Sequence, residues 1–264
     1  MLVLMDKKLI LLLVVVASVF TFNLVNDTSD VWWDSAVYIG MGKYIYSFGE
    51  SGLWEMSRPL VWSVLLGGFW KLGLDVVLFG KVMLILFNLG SLVLCYHIAR
   101  EYFDEKVAVL SSLFLAFSHT FFYFTSILFT EMFALFLVLL GVFFLVKKKF
   151  GIAGLVFGIA FMTRFFTLFV VFGVMVFLFF RKRKELSRFV SFFAFTVLPY
   201  LILNLILHGN PILPFLVQLK GTMATEWYWV QPWFYYFKGL LVENVLVGLS
   251  LIGVLFVFMK GQVR

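Results

Sequence analysis

Charge is scarce in this chain of 264 residues: only 13% are Asp, Glu, Lys or Arg, while 63% are hydrophobic. Soluble domains average about 25% charged residues. A water-soluble globule of this composition would lack the polar surface to cover itself. Disorder requires low hydrophobicity, and a mean hydropathy of +1.06 excludes it. Cysteine is almost missing. Cys95 stands alone inside an apolar run, so no internal disulfide is available, and no Cys/His pair has the spacing of a structural zinc site. The net charge of +7 does not point to nucleic acid, because the basic residues form short clusters between hydrophobic runs. That is the pattern of topology signals at a membrane face. The chain is expected to be an integral membrane protein.

A helix rises 1.5 Å per residue through a hydrocarbon core about 30 Å thick, so a span needs roughly 17–25 apolar residues. Six runs qualify: Leu9–Val25, Val76–Ala99, Val107–Phe124, Phe133–Val146 with its upstream extension, Phe189–Leu207 and Leu240–Met259. The first lacks a small-residue cleavage site and is expected to be a retained span. The run Phe150–Phe180 would be about 46 Å long as one helix, too long for the core. Lys147-Lys148-Lys149 precedes it and Arg181-Lys182-Arg183-Lys184 follows it. A hairpin of two short helices, broken at Thr163-Arg164, puts both clusters on the cytoplasmic side, where basic residues are preferred. Pro59–Leu74 is short, carries Lys71 and Gly67-Gly68, and is expected to be interfacial or re-entrant.

These choices predict an all-α, polytopic membrane protein with eight transmembrane helices, a single membrane domain over residues 1–264 and both termini in the cytoplasm. Lys7, Lys8, Arg100, Lys106, Arg188, Lys260, Arg264 and the two basic runs then lie inside, while Asp27, Asp30, Asp34, Glu50, Glu55, Asp75, Glu131, Glu226 and Glu243 lie outside. Two large outer loops result, residues 26–75 and 208–239. Function concentrates on loops held by a rigid scaffold, so any chemistry is expected at the extracytoplasmic face.

Several residues there have the character of a reactive site. Residues from Ser35 to Phe48 can form an amphipathic helix lying on the membrane, with Asp34 at its start. Asp34 suits two roles, an N-cap accepting from a backbone N–H and a general base at the lipid–water boundary. Arg58, ahead of Pro59, either snorkels to headgroups or binds a phosphate through its planar fork. Glu131 opens the fourth span, where an acid beside hydrocarbon is costly and usually functional; helix capping is the alternative. Arg164, at the hairpin tip, either pairs with Glu131 or binds a phosphate. His119 and Asn88 are expected to be hydrogen-bonded structural residues, Asn88 between helices, and Gly154-x-x-x-Gly158 marks close helix packing. His208-Gly209-Asn210-Pro211 is a turn signal. The Trp- and Tyr-rich stretch from Glu226 to Tyr236 fits an aromatic belt or a stacking surface for a sugar or isoprenoid. No cluster demands a metal, although Asp30 and Asp34 could share a divalent cation on one helical turn.

In order along the chain, Asp34-Ser35-Ala36-Val37-Tyr38 with Gly42-Lys43-Tyr44-Ile45, Arg58-Pro59-Leu60, Thr130-Glu131-Met132, the helix Gly158-Ile159-Ala160-Phe161-Met162-Thr163-Arg164 and the turn Gly209-Asn210-Pro211 resemble the GT-C superfamily of membrane glycosyltransferases. The similarity is to the protein-mannosyltransferase and aminoarabinose-transferase type. The resemblance implies a sugar donor linked through phosphate to a polyprenol such as dolichol, a lipid, glycan or protein acceptor, and no required cofactor. Asp34 and Glu131 would then be catalytic, with Arg58, Arg164, Tyr38, Lys43 and Asn210 binding substrate. Ser35 stands where many such proteins carry a second acid. The competing classes are a transporter, whose ionisable groups would sit near the bilayer midplane, and a non-catalytic subunit of the same fold.

Overall fold

Apolar residues recur along each run at helical spacing, and the computed structural model, which describes residues 7–26, 31–223 and 234–235, is helical throughout its regular elements. The helices are α1 (Lys7–Asn26), α2 (Trp33–Tyr46), α3 (Leu60–Lys71), α4 (Val76–Tyr102), α5 (Glu105–Ala116), α6 (His119–Tyr123), α7 (Glu131–Val146), α8 (Phe150–Thr163), α9 (Leu168–Arg181), α10 (Arg183–His208) and α11 (Leu213–Met223). A short 3-10 turn, Phe165–Thr167, joins α8 to α9. Among them α1, α4 and α10 are long and apolar enough to cross a membrane, and α3, α7, α8 and the segment Phe165–Arg181 are shorter apolar helices. The expected last span, Leu240–Met259, lies outside the described residues, as do residues 224–233 and 236–239 of the second large loop.

The core is built between helices, and the opposite helix faces stay apolar. On α1, Leu9, Leu12, Val16 and Phe20 form a buried stripe at spacings of three and four residues, while Leu11, Val14, Val15 and Phe22 remain exposed. Such an all-round hydrophobic helix suits lipid rather than water. Trp62 of α3 is fully buried; its indole donates to the Leu128 carbonyl at 3.0 Å, and its ring meets Phe133, which stacks on Phe87 at 4.3 Å. The apolar body of Trp62 thereby locks α3 to α4 and α7, and its one polar atom is satisfied. Asn88 of α4 donates to the Thr125 hydroxyl at 3.1 Å; Thr125 lies in the turn after α6, so the bond ties a helix to a turn where one between two helices was expected.

Two expected elements differ in detail. The third apolar run does not form one helix. It breaks after Ala116, where Phe117 and Ser118 leave helical geometry, and resumes as the single turn α6. At 12 residues α5 is about 18 Å long, short for a bilayer core. Asp34 is not an N-cap either: Trp32 holds that position, no side chain caps the helix, and Asp34 lies inside the first turn. Its carboxylate is engaged elsewhere, as described below.

The hairpin at Arg164 is present. The chain turns extended at Arg164 (φ −153°, ψ 112°), and the far end of α9 returns to the start of α8, where the Lys182 ammonium lies 5.2 Å from the Phe150 ring centre. Ion pairs separate the two ends of the bundle. Lys8–Glu105 at 3.1 Å and Lys147–Glu101 hold one end. Arg58–Asp34 and Arg164–Glu131 hold the other.

Glycines set two helix contacts by letting backbones approach. A Cβ on Gly42 would lie 2.6 Å from the Gly67 nitrogen, and one on Gly67 would lie 2.7 Å from the Gly42 Cα, so α2 and α3 touch main chain to main chain. Gly154 meets the Phe189 carbonyl in the same way, and a Cβ on Gly158 would lie 2.7 Å from Thr196 Cβ. The Gly154-x-x-x-Gly158 pair therefore seats α8 on α10. Between α2 and α3 the chain reverses through Gly49 and Gly52 (φ +93° and +91°), a backbone region that glycine occupies without strain. Replacing Gly42 by Leu should part α2 from α3 and cost about 1–3 kcal/mol or more. Gly173→Ala, where a Cβ meets nothing within 4 Å, should be neutral. Thermal unfolding of the two detergent-solubilised variants checks this; equal midpoints would refute the close contact.

Candidate functional site

Four helix ends converge at one end of the bundle, and each brings a charge. Asp34 and Glu131 sit in the first turns of α2 and α7, where the helix dipole favours anions. Arg164 follows the last residue of α8, where the dipole favours cations. Arg58 directly precedes Pro59, the N-cap residue of α3. The reversal between α2 and α3 carries Arg58 back across 24 positions to Asp34. Ser47 Oγ accepts from the Ser51 N–H at 2.9 Å, and the Leu53 N–H donates to the Gly40 carbonyl at 3.2 Å, which together pin this loop against α2.

Arg58 is the hub. Its Nη1 and Nη2 donate to the two carboxylate oxygens of Asp34 at 3.1 and 2.7 Å, a fork-to-fork pair. Its Nε donates to Glu55 Oε1 at 2.9 Å, and Ser57 Oγ donates to the same oxygen at 3.0 Å. The guanidinium also lies 5.7 Å from the ring centre of Tyr38, within cation–π range. Burial of Arg58 works against its charge, but the Asp34 hydrogen bonds together with Tyr38 and Glu55 outweigh it and hold the group above the ordinary arginine value. It therefore stays a cation at every accessible pH. Tyr38, one turn along α2 from Asp34 and only 4% exposed, has its phenol raised above the usual value by burial, with the Arg58 charge and hydrogen bonding to Thr130 and Arg58 opposing. It remains a neutral hydroxyl near neutral pH.

The second pair is Arg164 with Glu131, Nη1 to Oε1 at 2.8 Å, and the same Nη1 donates to Thr130 Oγ1 at 3.1 Å. The other carboxylate oxygen of Glu131, Oε2, is buried with no hydrogen-bond partner. Such an atom is costly to leave unpaired, and it belongs to a residue on the wall of a cavity. That cavity measures about 130 Å³ and is lined by Asp34, Tyr38, Arg58, Pro59, Phe129, Thr130, Glu131, Arg164 and Gln218.

Five of the residues singled out in the sequence thus meet at one place: Asp34, Tyr38, Arg58, Glu131 and Arg164. Lys43 lies farther along α2, partly buried, and does not line the cavity. Asn210 accepts from the Ile212 N–H at 3.0 Å and shapes the turn ahead of α11, also off the cavity wall. His119 stacks on Tyr123 at 6.2 Å, away from the charged pairs. Asp30, the suggested cation partner of Asp34, lies outside the described residues. Among the described residues no three His, Cys, Asp or Glu side chains converge as metal ligands. Thr130, Phe129 and Gln218 were not anticipated. Thr130 had a signal in its place beside Glu131, whereas Gln218 reaches the wall only because α10 and α11 fold back over this end.

A membrane-embedded helical protein with paired guanidinium and carboxylate groups around one cavity is the class these features define. Residues 57–208, more than half of the chain, match the family described as dolichyl-phosphate-mannose-protein mannosyltransferase. The chain belongs to that family, and with it to the membrane glycosyltransferases of GT-C type. Arg58, Glu131 and Arg164 fall within the matched stretch; Asp34, Tyr38 and Lys43 precede it. No curated protein and no solved structure is significantly similar to the chain.

The bidentate geometry makes Arg58 irreplaceable by lysine, a point charge with no planar fork. A double-mutant cycle over Asp34→Asn and Arg58→Gln should give a coupling of about 1 kcal/mol in unfolding stability, and Arg58→Lys should recover less than half of it. Full recovery by lysine would show that charge alone, without the fork, holds the pair.

Proposed function

We propose that the protein is an inverting glycosyltransferase that moves a sugar from a polyprenyl-phosphate donor, dolichyl phosphate in the name of the family, to an acceptor hydroxyl at the extracytoplasmic membrane face. One observation carries this reading: two guanidinium groups and two carboxylates from distant parts of the chain line a single cavity at one end of the bundle. At about 130 Å³ the cavity is smaller than the roughly 300–1,000 Å³ of a complete small-molecule site. It suits the phosphate and the reacting carbon, with the sugar and the prenyl chain extending beyond it.

Chemically the step needs one base and charge neutralisation. Asp34 takes the proton of the acceptor hydroxyl. The oxygen attacks the anomeric carbon from the face opposite the phosphate, a new C–O bond forms, and the bond to the phosphate oxygen breaks. The donor is a phosphodiester with one negative charge, and the leaving polyprenyl phosphate carries two once fully ionised. Arg58 and Arg164 lie where that second charge develops, and fixed cations aimed at developing charge stabilise the transition state in a site sheltered from water. Phosphate is already a good leaving group, so a second carboxylic acid of the glycosidase kind has no task. The unpartnered Oε2 of Glu131 is available to accept from a hydroxyl of the sugar or the acceptor.

The resting pair has a consequence for order of events. Both oxygens of Asp34 are engaged by Arg58 in the resting pair. A donor phosphate competes for the two Nη groups, and Glu55 holds Nε as the pivot about which the guanidinium turns. Donor binding then frees the base. This makes Glu55 a positioning residue.

The reading includes a topology of eight spans with both termini cytoplasmic, supported by the opposite placement of the two sets of ion pairs and by the basic runs at Lys147–Lys149 and Arg181–Lys184. In a Cys95→Ser background, an impermeant thiol reagent applied outside the cell should label a cysteine at position 34 and leave one at position 184 unmodified. The reverse pattern would overturn the orientation.

For the chemistry, purified protein incubated with a polyprenyl-phosphate sugar and candidate acceptors should release polyprenyl phosphate. Asp34→Asn should lower transfer by at least about 10²-fold, the scale of a well-placed base, with membrane insertion unchanged. Wild-type-like transfer by that variant would remove Asp34 as the base. Glu55→Gln should raise KM for the donor more than it lowers kcat. A substrate flux across liposomes without transfer would instead indicate a transporter.

A further inference from the structure

The end of the bundle opposite the charged cavity carries a different kind of surface. Two basic runs come together there: Lys147-Lys148-Lys149 between α7 and α8, and Arg181-Lys182-Arg183-Lys184 where α9 passes into α10. The Lys182 ammonium lies 5.2 Å from the ring centre of Phe150, the residue after Lys149. A Cβ on Gly151 would lie 3.5 Å from Cγ of Arg188 in the first turns of α10. Two carboxylates reach this surface: Glu101 takes Lys147, and Glu185 takes Arg188 at 3.2 Å. Lys148, Lys149, Arg181, Lys182, Arg183 and Lys184 remain. All are exposed, and among the described residues none of the six pairs with an acid.

Like charges held together repel, and a topology signal needs no such meeting, because each run marks a membrane face by itself. One of the cations also carries a conformational cost. Lys148 has φ +57°, in the left-handed region that suits glycine and strains a residue with a side chain. Apolar surface adjoins the cations. Phe177 and Phe180 of α9 and Ile152 of α8 are exposed. The Arg183 guanidinium lies 4.6 Å from the ring centre of Phe179, which is exposed too. A basic side chain thus lays its stem on an outward-facing ring and keeps its charged head at the rim.

We propose that this patch is a binding surface for anionic phospholipids, with headgroup phosphates between the two basic runs and acyl chains along the exposed face of α9. Charge complementarity selects the partner. Six cations without a carboxylate call for anions, and their place at the rim of apolar helix faces puts those anions in a headgroup layer rather than on a soluble acidic partner. Each Lys or Arg near a membrane surface adds to such attraction, which fades within a Debye length. The surface lies at the other end of the bundle from the cavity assigned to the donor, and it stands whether or not the transferase reading holds.

Delipidated full-length protein in detergent, titrated with phosphatidylglycerol or phosphatidylcholine and followed by native mass spectrometry, should bind the anionic lipid at least about tenfold more tightly. Raising the salt should shrink that preference. Lys148→Gln, Lys149→Gln, Arg181→Gln and Lys184→Gln in combination should abolish it. Exchanging Lys for Arg and Arg for Lys at the same four positions should preserve it, because a headgroup layer reads charge rather than the planar fork. Lys148→Gly separates binding from folding. It should raise the thermal midpoint of the delipidated protein by relieving the left-handed strain, and weaken phosphatidylglycerol by about fivefold. Equal uptake of the two lipids by the wild-type protein, an unchanged preference in the four-Gln variant, or displacement of phosphatidylglycerol by an equal concentration of soluble glycerol phosphate or of an acidic peptide would overturn the proposal. Absence of transferase activity in the wild-type protein would remove the transferase reading and leave this one intact.

Discussion

The bidentate pair between Arg58 and Asp34 is the interaction on which this end of the molecule depends. It closes a reversal of 24 residues, joins the start of α2 to the start of α3, and holds two opposite charges at a half-sheltered cavity. Breaking such a pair by removing one partner leaves the other charge poorly solvated, which costs more than the pair itself contributes. The surrounding structure serves to make the pair possible. The Gly42–Gly67 contact brings the two helices to main-chain distance, and Trp62 anchors α3 in the bundle.

The same arrangement accounts for the chemistry assigned to the site. A guanidinium that satisfies a carboxylate in the absence of substrate can exchange it for a phosphate with little change in its own solvation, since both partners present two oxygens to the same fork. In the proposed reaction the base and the phosphate-binding group are thus coupled, because they are each other's partner. The Arg164–Glu131 pair across the cavity has the same form but is looser, with a single Nη engaged and one buried carboxylate oxygen still without a donor. In the proposed reaction that asymmetry distinguishes the Asp34 side, which bears the base, from the Glu131 side, which accepts from a hydroxyl group.

Hydrophobic content was legible as a membrane solvent, and the apolar runs were legible as helices because lipid leaves the backbone no other way to satisfy itself except a closed barrel. The break at Thr163-Arg164 was readable from charge placement, since two basic runs could share a side only through a hairpin. The interruption of the third run was not. Ala116, Phe117 and Ser118 carry no proline or glycine to mark a stop, and the turn is set by what the segment packs against. Asp34 was recognised as the residue that opens α2, as a cap or as a general base; the cap position falls to Trp32, and the carboxylate pairs instead with Arg58, 24 residues away.

What the amino-acid sequence by itself determined is the class of solvent, the helical character, the order of the charged residues and the end of the bundle at which Asp34, Arg58, Glu131 and Arg164 emerge. These follow from composition, run length and charge alternation, all local properties. Which charge faces which was decided only by tertiary structure, because pairing depends on how closely α2 approaches α3 and on where α8 turns. Lys81 illustrates the difference. Its place inside an apolar run is plain in the sequence, but only the packing of α1, α4 and α6 reveals that the run borders a cavity and that the lysine lies on its wall.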